Sequence, residues 1–186
     1  MAEVVVVVLN GWGSSSRRRE TRTATMAREV TKGHVAEGRF LGLRAMLGWS
    51  RSRRVRRFIL RHQNPHRSLL LVGKSLGARN MVSRVLNRMA TPLGYRRVGL
   101  VTIDPCWPTR WDLTPNLNRA VLKLTATVDQ ATNFMAVLPQ DQQAGAMVHG
   151  PRVVNVPLSG PDHFTIVQAP EVRAELERMA LELVTP

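Results

Sequence analysis

Leu69-Leu70-Leu71-Val72-Gly73-Lys74-Ser75-Leu76-Gly77-Ala78 is the stretch that decides how this chain is read. A short apolar run of strand length ends in Gly-Lys-Ser-Leu-Gly, and a helix-like stretch, 76–89, follows at once. Serine then stands at the apex of G-x-S-x-G between a strand and a helix, the arrangement of a nucleophile elbow. Such a turn is tight and strained, and Gly73 and Gly77 leave room for strand and helix to approach each other there. Gly73-Lys74-Ser75 also resembles the end of a phosphate-binding loop. That motif needs a glycine five positions before its final glycine, where this chain has Ser68. The strand 69–72 also leaves no glycine-rich loop to cradle phosphates.

Outward from the elbow, strand and helix patterns alternate. The run 3–9 holds five consecutive valines, as expected of a strand buried on both faces of a parallel sheet. Helical patterns are expected over 19–31, 51–62 and 170–184, with a weak strand at 39–43. Further strands are expected at 98–103, 120–127 and 153–158, and 107–118 reads as an irregular loop. The βα alternation predicts an α/β fold: a three-layer sandwich, its mostly parallel central sheet flanked by helices. The 186 residues fit one domain, 1–186, with no segment long enough for a large cap.

Three features fall where a nucleophilic serine would need them. Asn10-Gly11-Trp12-Gly13 follows the first strand, where a glycine-rich loop can aim the Trp12 N–H at a developing oxyanion. The N–H of Leu76, next after the serine, is the second candidate donor. Gly160-Pro161-Asp162-His163-Phe164 follows the last strand, so that His163 can reach back to Ser75 as general base and later general acid. Two aspartates compete to orient its imidazole: Asp104, ending strand 98–103, and Asp129, just after strand 120–127. Both keep the chain order Ser…Asp…His.

On these pieces the chain resembles the α/β-hydrolase superfamily from Val4 nearly to the C-terminus. Within it, Leu100-Val101-Thr102-Ile103-Asp104-Pro105 followed by Pro115-Asn116-Leu117-Asn118-Arg119 is similar to small, lidless bacterial lipase- and esterase-like enzymes. In some lipases the triad acid follows this earlier strand, which the resemblance assigns to Asp104. The more usual superfamily position lies after the next strand, where Leu124–Gln130 resembles L-x-G-x-x-D, with Ala126 in place of the glycine, and points to Asp129. The resemblance implies a serine esterase acting through an acyl-enzyme on a small-molecule acyl ester, with no cofactor. Trp107 and Trp111, with Cys106, are candidates to line an apolar acyl site, and Lys74 to attract an anionic substrate group.

The charge is unusual, +14 overall. Residues 17–61 hold 13 arginines and one lysine against three acids, so +11 of the +14 lies there. This Arg-rich segment is the candidate footprint of an anionic partner such as nucleic acid, acidic lipid or another polyanion, and the competing reading is a binding protein on a hydrolase scaffold. No recognised nucleic-acid motif accompanies it. One cysteine and no His-Glu-x-x-His argue against a zinc site, so no metal is expected. Without a membrane span or the flanks of a secretory signal, the expected location is the cytoplasm.

Overall fold

A computed structural model describes residues 3–11, 22–36, 39–44, 50–106, 121–138, 142–143 and 145–185. The elements in chain order are β1 (Val4–Asn10), α1 (Arg22–Val30), β2 (Phe40–Arg44), α2 (Ser50–His62), β3 (Ser68–Lys74) and α3 (Leu76–Asn80). Then come β4 (Arg97–Ile103), β5 (Leu122–Lys123), β6 (Gln130–Leu138), β7 (Gln142–Gln143), β8 (Val148–His149), β9 (Val153–Ser159) and α4 (Pro170–Val184).

Six strands form a parallel sheet in the order β2-β1-β3-β4-β6-β9, and β7 adds a short antiparallel pairing to the end of β6. The β-branched run of β1 is buried along its whole length because both faces are covered. Val5, Val7 and Leu9 pack with Val55 and Ile59 of α2 and with Leu76 of α3. Val4, Val6 and Val8 pack with Ala24 and Ala27 of α1 and with Val172, Leu176, Met179 and Leu183 of α4. The fold is therefore a helix–sheet–helix sandwich, as the alternation predicts. Chain order reverses between β1 and β3, so the loops leaving these two neighbours form a crevice at the carboxyl edge of the sheet.

α4 spans the same residues as its amphipathic pattern and is held from beneath. The Leu183 carbonyl accepts hydrogen bonds from Ser68 Oγ (2.7 Å) and Arg96 Nη2 (2.5 Å), and the Glu182 carbonyl accepts one from Arg97 Nη1 (2.8 Å). These donors satisfy carbonyls that the end of a helix leaves without intrahelical partners.

Two expectations need correcting. The stretch 76–89 is helical but not uniformly wound: α3 runs into a π-turn at Met81–Val85 and a 3-10 turn at Leu86–Arg88. The strand expected at 120–127 is only the two-residue β5, paired with β8 outside the main sheet. Its alternation is genuine, since Leu122, Leu124, Ala126 and Val128 are buried between exposed neighbours. The segment is an extended ribbon lying on the core, with Leu122 N–H and Leu124 N–H bonded to Met147 and His149 carbonyls. The strand of the main sheet is the next one, β6. Helix 19–31 is described from Arg22 onward. The loop 107–118 lies outside the described residues.

Candidate active site

Ser75 follows β3 with φ 57° and ψ −130°, a backbone conformation that L-residues with side chains rarely adopt. The glycines explain how the turn closes. A Cβ on Gly73 would lie 2.5 Å from Ala78 Cα, and one on Gly77 would overlap the Leu9 carbonyl oxygen. Gly11, after β1, faces the serine: a Cβ there would lie 2.5 Å from Ser75 Cβ and 2.8 Å from Oγ. The Ser75 N–H is fixed to the Ile103 carbonyl at 2.9 Å, which ties the turn to the end of β4. Leu76 opens α3, so its N–H is among those that helix geometry leaves without an intrahelical acceptor.

Asp104 follows β4, next to the elbow, and is fully buried. Its φ of 48° lies in the left-handed region, which Asp tolerates better than most residues. Its N–H donates to the Phe134 carbonyl (2.7 Å), and its Oδ1 accepts from the Ala136 N–H (3.1 Å). Its Oδ2 is hydrogen-bonded to His163 Nδ1. Gly145 lies directly over this carboxylate, where a Cβ would strike Oδ1.

The turn that carries His163 is built by its neighbour. Asp162 Oδ1 accepts hydrogen bonds from the Phe164 N–H (2.8 Å), the Thr165 N–H (2.7 Å) and Thr165 Oγ1 (2.8 Å). Asp162 is thus a turn-forming residue, and these bonds, that to the Thr165 hydroxyl foremost, hold its carboxyl below the usual pKa. Ile166, fully buried, anchors the far side of the turn.

Asp129 stands elsewhere. Because the strand begins at Gln130 rather than ending before 129, Asp129 sits at the amino edge of the sheet, opposite Ser75. There its Oδ2 accepts the Val98 N–H at 2.6 Å and its Oδ1 pairs with Arg152 at 3.5 Å. The structure brings Ser75, Asp104 and His163 together and leaves Asp129 out. Lys74 Nζ donates to the Phe164 carbonyl (3.2 Å), tying the histidine loop to the elbow. Burial lowers its pKa, with the Asp104 and Asp162 carboxylates opposing the shift. Trp12, Trp107 and Trp111 lie outside the described residues.

Cys106, expected only among the lining of an acyl site, and Phe164, given no role, take up places at the serine and the imidazole. Cys106 Sγ lies 3.0 Å from Ser75 Oγ and 3.8 Å from His163 Nε2, between serine and imidazole. Its position two residues after Asp104 was the available signal. Phe164, 75% exposed, packs edge-on against the His163 ring at a centroid distance of 5.4 Å and gives the site an apolar rim.

Among solved structures, the chain is similar to an alpha-beta serine hydrolase homologue from Coxiella burnetii. The match has a TM-score of 0.50 and 14% identity, over 96% of this chain and 86% of that one. The fold is α/β-hydrolase-like. No protein-family model and no curated protein matches the sequence. A likeness at this identity is one of fold, so activity has to be argued from the site itself. Among the described residues, no helix is long and apolar enough to cross a membrane, and no three His, Cys, Asp or Glu side chains are grouped to hold a metal ion.

Electrostatics set the working range of the imidazole. Burial disfavours the charged form of His163, but its bond to Asp104 and the adjacent Cys106 sulfur outweigh that and raise its pKa to about 9. A general base must be neutral to accept a proton. If His163 is that base, kcat/KM is expected to climb with pH up to about 9, and the midpoint should move lower in Cys106→Ala. A wild-type midpoint near the ordinary histidine value would contradict this. Stability should follow the opposite course. With the folded pKa above the unfolded one, the His163 contribution is complete below pH 6.5 and lost as pH rises through 9.

Proposed function

We propose that this protein is a serine hydrolase that cleaves an acyl ester through an acyl-enzyme on Ser75. The observation that carries this reading is the buried Asp104 carboxylate bonded to His163 Nδ1, with Nε2 3.8 Å from the Cys106 sulfur that itself lies 3.0 Å from the serine Oγ of a glycine-cleared elbow. In this mechanism Ser75 Oγ attacks the ester carbonyl carbon as His163 Nε2 takes the hydroxyl proton. The tetrahedral oxyanion rests on the Leu76 N–H, with Trp12 N–H the second donor expected from its loop. Collapse breaks the bond to the alcohol, which leaves with the proton from His163. Water then attacks the acyl-enzyme by the same base, and the carboxylic acid departs. Asp104 holds the imidazole in the tautomer with Nδ1 protonated and Nε2 free. The exposed Phe164 ring offers the substrate an apolar surface beside the base.

Cys106 supports a second reading. Its sulfur stands between Ser75 Oγ and His163 Nε2, so either the thiol turns aside for direct proton transfer to His163 or the thiol itself attacks. Paired variants separate the two. With Ser75 as nucleophile, Ser75→Ala abolishes fluorophosphonate labelling and lowers hydrolysis of p-nitrophenyl butyrate by about 10³-fold or more, while Cys106→Ala keeps the label. Activity retained in Ser75→Ala and lost in Cys106→Ala would transfer the role to the thiol. Loss in neither variant would end the hydrolase reading at this site.

A further inference from the structure

α2 carries six arginines and no acid. Ser52, Val55 and Ile59 are buried against the body of the protein. Arg53, Arg56, Arg57 and Leu60, spaced i, i+3, i+4 and i+7, form a separate stripe on the same helix. That stripe lines a cavity of about 460 Å³ whose opposite wall is the segment 88–93. Tyr95 fixes the two walls to each other, its hydroxyl donating to the Ile59 carbonyl at 2.7 Å. The cavity lies where α2 leads toward β3 and the 88–93 segment leads toward β4, at the opposite edge of the sheet from Ser75.

Its lining divides by chemistry. Among the described residues its lining holds Arg53, Arg56, Arg57 and Arg88 and no acidic side chain, and Leu60, Met89, Pro92 and Leu93 supply apolar surface. The three guanidinium groups that α2 presents to the cavity, on Arg53, Arg56 and Arg57, repel one another, and an anion relieves that repulsion while accepting bidentate hydrogen bonds. A polyanion would need only the charges. It would leave the apolar surface unused, including Leu60, which is 57% exposed in the midst of arginines. A membrane surface would not fill a concavity of this size, which is that of a small-molecule site.

We propose that this cavity binds a single-chain amphiphilic anion, a fatty carboxylate, with its head among the arginines and its tail along Leu60, Met89, Pro92 and Leu93. The inference stands apart from the hydrolase reading, because a free carboxylate offers no bond to hydrolyse and its binding is measured without turnover.

Titration calorimetry of the full chain with dodecanoate, below its critical micelle concentration, tests the proposal. Saturable one-site binding is expected, at least tenfold tighter than that of dodecanol or acetate. Arg53→Glu/Arg57→Glu and Leu60→Glu should each weaken it at least tenfold. Arg53, Arg57 and Leu60 are exposed, so these variants should fold, as circular dichroism will check. Three results would overturn the proposal: no saturable binding, dodecanoate affinity unchanged in both variants, or binding of heparin or phosphatidylglycerol vesicles that needs these arginines while dodecanoate does not bind.

Discussion

Asp104→Asn is expected to lower kcat for ester hydrolysis by about 10³- to 10⁴-fold, with little change in the fold. Asparagine fills the same space and its carbonyl can still accept the Ala136 N–H. It cannot hold His163 as an anion does, and its amide nitrogen can turn a donor toward Nδ1, which favours the tautomer with the proton on Nε2. That tautomer has no lone pair to offer the serine. A second signature separates this from simple loss of packing: without the carboxylate, the alkaline midpoint attributed to His163 should fall below about 9. Asp129→Asn is the matched control. It should leave kcat within about twofold and cost about 1 kcal/mol of stability through the weakened bond to the Val98 N–H. The reverse pattern, activity lost at 129 and kept at 104, would overturn the assignment of the acid.

Gly77→Ala should produce the largest loss of stability. Its new Cβ would meet the Leu9 carbonyl oxygen and lie 2.8 Å from the Asn10 carbonyl carbon, backbone atoms of a strand hydrogen-bonded to neighbours on both sides. A flexible side chain could swing away, but the centre of a sheet cannot. Overpacking of this kind costs about 3 kcal/mol or more, roughly 6–12 °C in Tm for a chain this long. Gly42→Ala, where the nearest atoms lie 3.4 and 3.5 Å away, should change Tm by only a degree or two. Equal Tm values for the two variants would refute the close-approach account of the elbow.

The legible parts of this fold are those whose burial is uniform. β1, β3 and β4 are apolar runs covered on both sides, and α4 carries an unbroken amphipathic period bounded by Pro170. β6 was hidden because it is polar where it is most buried. Its Asn133 is fully buried, yet its side-chain oxygen accepts from Thr102 Oγ1 and its amide donates to Asn155 Oδ1 and the Ala146 carbonyl. Those partners come from β4, β9 and a loop, so the composition of β6 alone cannot reveal that its polar groups are satisfied. The ribbon 121–128 took its place because half-burial on a core surface produces the same alternation as a sheet strand. The misplacement of Asp129 follows from that exchange: an aspartate that precedes a strand carries the same local pattern as one that ends it. Ser75 and His163 stand out in the sequence, and Asp104 beside its competitor Asp129, because each of the three sits at a junction marked by glycine or proline. Cys106 does not, since its contacts depend on how β4 and the histidine loop meet across 57 residues.

The tether of α4 has a bearing on when this site comes into being. Ser68, Arg96 and Arg97 grip carbonyls at Glu182 and Leu183, up to 115 residues further along the chain. A ribosome delivers the elbow and Asp104 well before it delivers β9, the His163 turn and the helix that closes over β3 and β4. Until α4 has emerged, the sheet face formed by Val6, Leu70 and Val101 has only α1 to cover it. Ser75 and His163 are therefore brought together only in the last act of assembly, so the growing chain carries the elbow well before the histidine turn that faces it.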